Sequence, residues 1–150
     1  MKYQIRPMEI KDIEAVIAGE EAIFGESLGY DMLYSELTLN PYAYYFILEI
    51  DHKVAGYIGV WIEEERSEII NFYILEKYQN NGFGRMMLEF VMQLCEMSGV
   101  ENLSLEVRKS NQRAIHLYES FGLKYSHERK QYYKDSEDAL VLIKHFEVQK

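Results

Sequence analysis

The chain has 150 residues, near the common size of one domain and long enough to bury a real core. Its 16 basic and 25 acidic residues give a net charge of −9, which repels a phosphate backbone, argues against a nucleic-acid partner and favours a cationic one. The single cysteine, Cys95, excludes an internal disulfide and fits a reducing, cytoplasmic setting. His52, His116, His127 and His145 lack metal-ligand spacing. The N-terminal Met1-Lys2-Tyr3-Gln4 opens no signal-peptide core and no apolar run reaches membrane-spanning length, so neither metal nor membrane is expected. No Gly/Ser-rich or Pro-rich stretch reads as a linker, and one domain over 1–150 is expected.

Tyr3 to Arg6 reads as a short strand that Pro7 ends, and Glu9 to Ala22 carries Ile10, Ile13, Val16 and Ile17 at helical spacing. Phe24 to Gly29 is a glycine-containing loop, followed by a helix from Tyr30 to Leu39 that stops at Asn40-Pro41. Tyr44 to Ile50, the turn Asp51-His52-Lys53 and Val54 to Ile62 make a hairpin, and Glu68 to Leu75 a third strand. The intervening Glu63-Glu64-Glu65 run reads as a solvated turn, with attraction of a basic peptide as the alternative.

Gln79-Asn80-Asn81-Gly82-Phe83-Gly84-Arg85 stands between that strand and a helix over Gly84 to Ser98. Two glycines at a strand-to-helix junction allow backbone N–H groups to face an anion, because a helix N-terminus carries unpaired donors and partial positive charge. The same residues also serve as ordinary turn and capping chemistry. Arg85 lies in the first helical turn, where a cation is unfavourable against the dipole unless an anion is near. The segment lacks the Gly-Lys-Ser/Thr ending of a nucleoside-triphosphate loop and one glycine of a dinucleotide fingerprint.

The following helix has the stripe Met87, Leu88, Val91, Leu94 and Cys95, closed by Gly99, which makes Cys95 a core residue rather than a nucleophile. Leu103 to Arg108 alternates as a strand, with Ser104, Glu106 and Arg108 on its polar face. A helix over Asn111 to Ser120 follows, with the stripe Ala114, Leu117, Tyr118 and Phe121. Strands near Leu123 to Tyr133 and Ala139 to Phe146 end the chain, and the strand-helix-strand unit around the glycine loop is expected to join parallel strands. From the residues alone, Glu106 is a solvated carboxylate or a general base, and Tyr118 a core aromatic or a proton donor. Asn111 is a helix cap, a ligand contact or both.

Asn71-Phe72-Tyr73-Ile74, the Gln79 to Arg85 loop, Leu105-Glu106-Val107-Arg108, Ser110-Asn111 and Ala114-Ile115-His116-Leu117-Tyr118-Glu119-Ser120-Phe121-Gly122 together resemble the GNAT acetyltransferases in order and spacing. Within that superfamily the pattern is most similar to the bacterial ribosomal-protein-alanine N-acetyltransferases, and Tyr132-Tyr133 with Glu137-Asp138-Ala139 also match their C-terminal region. The likeness implies a mixed α/β GNAT fold: a central twisted, mostly antiparallel sheet flanked by helices. It implies acetyl-CoA as co-substrate, with no metal. Backbone groups at Phe72, Tyr73 and Ile74 would hold the pantetheine arm, and Asn80, Asn81, Gly82, Phe83, Gly84 and Arg85 would wrap the pyrophosphate. Asn111 would touch the cofactor, Glu106 accept a proton and Tyr118 donate one.

The acceptor implied is the N-terminal α-amine of a ribosomal or other basic protein, taken by direct transfer in a ternary complex. The loop after Phe24 and the Tyr132-Tyr133 segment would form the peptide slot. The alternatives are a small-molecule acetyltransferase for a polyamine, amino acid or drug amine, and a non-catalytic acyl-CoA-binding module. Two departures bear on the likeness: Asn80 replaces a common arginine or lysine, and Phe24-Gly25-Glu26-Ser27 lacks the usual Pro-Trp-Ser.

Overall fold

The computed structural model describes residues 2–147. Seven strands occur among them: β1 (Tyr3–Pro7), β2 (Ala43–Ile50), β3 (Lys53–Ile62), β4 (Arg66–Ile74), β5 (Asn102–Arg108), β6 (Lys124–Arg129) and β7 (Ala139–His145). The helices are α1 (Ile13–Phe24), α2 (Tyr30–Thr38), α3 (Phe83–Ser98) and α4 (Gln112–Ser120). Strand order is β1-β2-β3-β4-β5-β7-β6, a mixed and mostly antiparallel arrangement as expected. The β4 and β5 strands, which flank the glycine loop and α3 in sequence, pair in parallel.

The chain divides into two compact units, Met1–Trp61 with Ile70–Val91, and Ile62–Ile69 with Met92–Lys150. The first is built on the β1, β2 and β3 meander. Asp51 and His52 form a two-residue turn with φ of 48° and 66°, and two left-handed residues match the right-handed twist of flanking strands. Met8, Ile13, Val16, Leu33, Tyr45, Ile47, Tyr57 and Tyr73 form its buried core. Burying each aliphatic side chain there contributes about 1.5–3 kcal/mol relative to leaving it exposed. Gly19 lets the Tyr73 ring lie against α1, because a Cβ there would fall 2.0 Å from the phenol oxygen.

In the second unit, β5 alternates as the sequence pattern requires: Leu103, Leu105 and Val107 are buried, while Ser104, Glu106 and Arg108 are partly exposed. The β4–β5 ladder runs from Arg66↔Asn102 to Ile69↔Leu105, and β7 pairs β5 along its length to Arg108↔Ala139. Cys95 is buried, as its place on the α3 stripe predicts.

Three expectations require correction. Ile10–Asp12 is a separate 3-10 turn before α1, because Asp12 accepts from the Glu9 N–H at 2.8 Å and is clamped by Arg6. The α4 stripe buries Ile115 beside Tyr118, whereas Ala114, Leu117 and Phe121 are only partly covered. The sixth strand ends at Arg129, so Tyr132-Tyr133 lies in a loop. That loop is fastened by polar contacts: Gln131 N–H donates to Asp138, and Glu137 receives both Arg108 and the Ser110 N–H.

Candidate active site

In the first unit, the segment Gln79 to Arg85 turns from the end of β4 into α3. Asn80 and Gly82 both hold positive φ, 66° and 82°, which turns the chain sharply before the helix. Asn81 Nδ2 donates to the Tyr78 and Gln79 carbonyls at 3.2 and 3.0 Å, and Gln79 Nε2 to the Ile74 carbonyl at 2.8 Å. The Gln79 and Asn81 side-chain amides therefore engage backbone carbonyls of the loop and of the chain just before it. Its first α3 bond runs from Met86 N–H to the Gly82 carbonyl at 3.0 Å, so the Phe83 and Gly84 N–H groups precede the helical ladder. Phe83 turns its ring inward, buried edge-on against Tyr3 with centroids 5.3 Å apart, and offers a ligand only its backbone. A Cβ added at Gly82 would meet nothing within 4 Å, leaving room beside the turn.

Upstream, β4 is held by a buried carboxylate that the sequence reading missed. Glu20 is fully buried, and among the described residues only neutral donors reach it: Tyr57 Oη at 2.5 Å, Asn71 Nδ2 at 2.5 Å, Ser27 Oγ at 2.7 Å and Leu28 N–H at 3.3 Å. Asn71 in turn accepts the Phe72 N–H at 3.1 Å. One carboxylate thus fixes both the loop after α1 and the backbone at the start of Phe72-Tyr73-Ile74. Tyr73 Oη donates to the Val16 carbonyl at 3.2 Å. A second buried carboxylate, Glu36, receives Tyr45 Oη at 2.8 Å, Trp61 Nε1 at 2.5 Å and Asn40 Nδ2 at 2.7 Å. Both glutamates lie on their helices' buried stripes, Ile13-Val16-Glu20 and Leu33-Glu36, the signal by which they were legible.

In the second unit, the polar face of β5 carries Glu106. Arg129 Nη1 lies 2.5 Å from its Oε1, and the same carboxylate pushes the nearby Tyr132 phenol up. The Arg129 guanidinium also stacks 4.5 Å from the centre of the Tyr132 ring. Arg108 makes the matching contact with Tyr133, 4.1 Å from its ring centre, while bridging Asp135 and Glu137 at 2.8 and 3.0 Å. Burial pushes the Tyr133 phenol up to about 12, opposed in part by Arg108. Glu68 on β4 belongs to the same polar face, since it pairs with Ser104, two residues before Glu106. Its carboxyl is held above the usual range, first by burial and then by Glu106.

Tyr118 is buried on α4, and burial pushes its phenol well above the usual range. Asn111 caps that helix through Oδ1, which accepts the Ala114 N–H at 3.2 Å. Glu106, Tyr118 and Asn111 thus fall in one unit, and Phe72 to Ile74 with Asn80 to Arg85 in the other.

A family model described as Acetyltransferase (GNAT) family matches residues 12–123. The chain belongs to that family. It is 38% identical over 94% of both chains to a Bacillus subtilis (strain 168) protein named "Putative [ribosomal protein bS18]-alanine N-acetyltransferase". A Sulfurisphaera tokodaii N-alpha-acetyltransferase is 29% identical, with 94% of this chain and 92% of the relative covered. The crystal structure of the ribosomal-protein-S18-alanine N-acetyltransferase from Escherichia coli superposes with a TM-score of 0.90 at 28% identity, covering 99% and 97% of the two chains.

The protein is accordingly a GNAT N-acetyltransferase that uses acetyl-CoA. The residues present fit an anionic co-substrate: a glycine turn with space beside it, carbonyls engaged by the loop's own amides, and helix-start N–H groups ahead of the ladder. Among the described residues no helix is long and apolar enough to cross a membrane.

Proposed function

We propose that this enzyme acetylates the N-terminal α-amine of a protein, a ribosomal or other basic one. The observation that carries this reading is nearly full-length similarity to relatives named for that acceptor in a bacterium and an archaeon. A net charge of −9 supports a basic partner. The chain is read as one functional domain over 1–150, since the family match at 12–123 draws on both compact units. Free, buried Cys95 is in keeping with a reducing, cytoplasmic setting.

Bound acetyl-CoA supplies a thioester whose carbonyl an amine attacks and whose thiolate leaves. The N–H groups of Gly82, Phe83 and Gly84 hold its pyrophosphate, joined by Asn80, Asn81 and Arg85, and the Phe72 to Ile74 backbone orients its arm. Asn111 caps α4 and contacts the same ligand. Glu106 accepts the proton shed by the attacking nitrogen, and Tyr118 supplies one to the departing sulfur. Direct transfer suits the position of Cys95, whose thiol is buried and pushed up by that burial. The α1–α2 loop and Tyr132-Tyr133 each contribute to holding the acceptor peptide.

An α-amine suits so light a machinery, because its pKa of about 7.7–8.0 leaves roughly a tenth nucleophilic at neutral pH, against about 10.4 for lysine. The test is mass-spectrometric acetylation of a basic peptide with a free N-terminus, its N-terminally blocked lysine-containing twin, and a polyamine. Modification of the free N-terminus alone is expected. Preference for the polyamine would move the acceptor to small amines, and modification of none would favour a binding module.

A further inference from the structure

Of the chain's asparagines, only Asn81 is followed by glycine, and it stands in the loop that the reading above assigns to the pyrophosphate. An Asn-Gly pair carries a reactivity that other asparagines largely lack. The backbone nitrogen of the next residue can reach the side-chain carbonyl carbon, and a side chain on that residue ordinarily obstructs the approach; glycine has none. The surroundings of Gly82 are open as well, since even an added Cβ would meet nothing within 4 Å. Gly82 accepts the first α3 bond, from the Met86 N–H, so its own N–H stands outside the helical ladder.

Other asparagines are guarded. Asn40 precedes Pro41, which has no N–H. Asn71 Oδ1 already accepts the Phe72 N–H at 3.1 Å while its Nδ2 donates to Glu20, and Asn111 Oδ1 caps α4. Asn81 is exposed. Its Nδ2 bonds to the Tyr78 and Gln79 carbonyls are exposed too, so local fluctuation opens them readily.

We propose that Asn81 is a self-modification site: in the unliganded loop the Gly82 nitrogen attacks Asn81 Cγ, and the product holds CoA poorly. The N–Cγ bond forms as the Cγ–Nδ2 bond breaks, and the Gly82 proton departs with Nδ2 as ammonia, leaving a five-membered succinimide. Water then opens the ring at either carbonyl to give aspartate or isoaspartate. No electrons are gained or lost, and water is the one further reactant. The proposal rests on the assignment of this loop to the pyrophosphate.

Both products put a new carboxylate at the anion site, where it repels the pyrophosphate and competes for the helix-start N–H groups. Neither can donate to the Tyr78 and Gln79 carbonyls, so the side-chain bonds across the turn are lost. Isoaspartate also inserts a methylene into the main chain, which displaces the Phe83 and Gly84 N–H groups. Bound CoA protects the site, because its pyrophosphate engages the Gly82 N–H that acts as nucleophile. Idle enzyme is disabled and liganded enzyme is preserved.

The experiment incubates the full chain at mildly alkaline pH, with and without CoA at about 100 times its Kd, and follows every asparagine by peptide mass spectrometry. Asn81 is expected to convert first, CoA to slow that conversion at least about tenfold, and Gly82→Ala to suppress it. Calorimetric titration of Asn81→Asp should show the Kd for CoA raised by about 30-fold. Should Asn81→Asp fail to fold, the modified wild-type fraction, isolated by ion exchange, supplies the same comparison. Conversion no faster than at other asparagines, conversion equally fast with CoA bound, or a Kd unchanged by the new carboxylate would overturn the proposal. Titration of Gly82→Ala with CoA separates it from the reading beneath it. An unchanged Kd there takes the pyrophosphate from this loop and the proposal with it, whereas a weakened Kd beside an unaffected Asn81→Asp overturns the proposal alone.

Discussion

The Arg129 guanidinium and the Glu106 carboxylate form an ion pair at 2.5 Å, with Arg129 half-exposed and Glu106 largely covered. An exposed pair of this kind contributes at most about 1 kcal/mol to stability. Its consequence is positional, since it fixes the rotamer of the carboxylate assigned to proton transfer. Arg129→Gln is therefore expected to lower kcat by about 10- to 100-fold through loss of orientation while leaving the melting temperature within about 2 °C of wild type. Steady-state kinetics and a thermal melt on the same preparation check both halves.

Tyr118 gives the complementary prediction. Its phenol is buried and pushed well above the usual range by desolvation, so it stays protonated across the working pH range and keeps an O–H to direct at the departing sulfur. Tyr118→Phe should lower kcat by about 100-fold or more with little change in CoA affinity. Calorimetric titration with CoA beside turnover assays separates these effects, and equal losses in both would make Tyr118 a packing residue.

Sequence periodicity showed these elements clearly where one face meets the core. The alternation of Leu103, Leu105 and Val107 located β5, and the α3 stripe placed Cys95. The β6 boundary escaped because Lys124 to Arg129 is mostly exposed and has no apolar alternation, so nothing local says where pairing with β7 stops. The loop that follows depends on Arg108, Asp135, Glu137 and Asp138 meeting across distant sequence. Glu106 was legible through the spacing of its motif, but Arg129 and Glu68 were not, since each gains significance only from strand register. Glu20 and Glu36 were visible in principle as acids on apolar helix stripes; their donors, Tyr57, Asn71, Tyr45 and Trp61, lie on other strands.

Gly82 tests the co-substrate loop. Its φ of 82° suits glycine, while an added Cβ would meet no neighbouring atom within 4 Å, so substitution by alanine acts through backbone strain alone. That strain is about 1–2 kcal/mol, and relaxing it would turn the Phe83 and Gly84 N–H groups. Gly82→Ala is expected to raise the Kd for CoA by about tenfold, which is 1.4 kcal/mol, without altering the pH profile of turnover. Calorimetric titration measures it, and an unchanged Kd would take the pyrophosphate away from this loop.

The Arg6–Asp12 clamp governs acid stability in the first unit. Arg6 reaches both Asp12 oxygens at 2.8 and 2.9 Å and Glu49 at 2.7 Å. Burial pushes the Asp12 carboxyl up, but Arg6 and the Glu9 N–H together hold it below the usual range. A folded value below the unfolded one means the stabilisation is present above pH about 4 and disappears as pH falls through the lower folded value. Asp12→Asn is expected to cost about 2 kcal/mol at pH 7, allowing for solvent screening, and the deficit should shrink toward pH 2.5. Urea denaturation at both pH values reads this directly.

Glu20 carries the largest expected stability effect. Four neutral donors converge on its fully buried side chain, so removing the carboxylate orphans the buried Tyr57 hydroxyl and three part-buried donors at once. Each unsatisfied donor costs about 1–3 kcal/mol, and Glu20→Ala should lose about 3–5 kcal/mol. Glu20→Gln keeps the shape but points an amide donor at groups that already donate, so it recovers only part of that. The functional trace is sharper than the global one, because Ser27 and Leu28 on the α1–α2 loop and Asn71 on β4 are released together. Hydrogen exchange in Glu20→Gln should therefore rise first at Leu28, Gly29 and Phe72. Fast exchange confined to other segments would show that the carboxylate stabilises the core without positioning the loop.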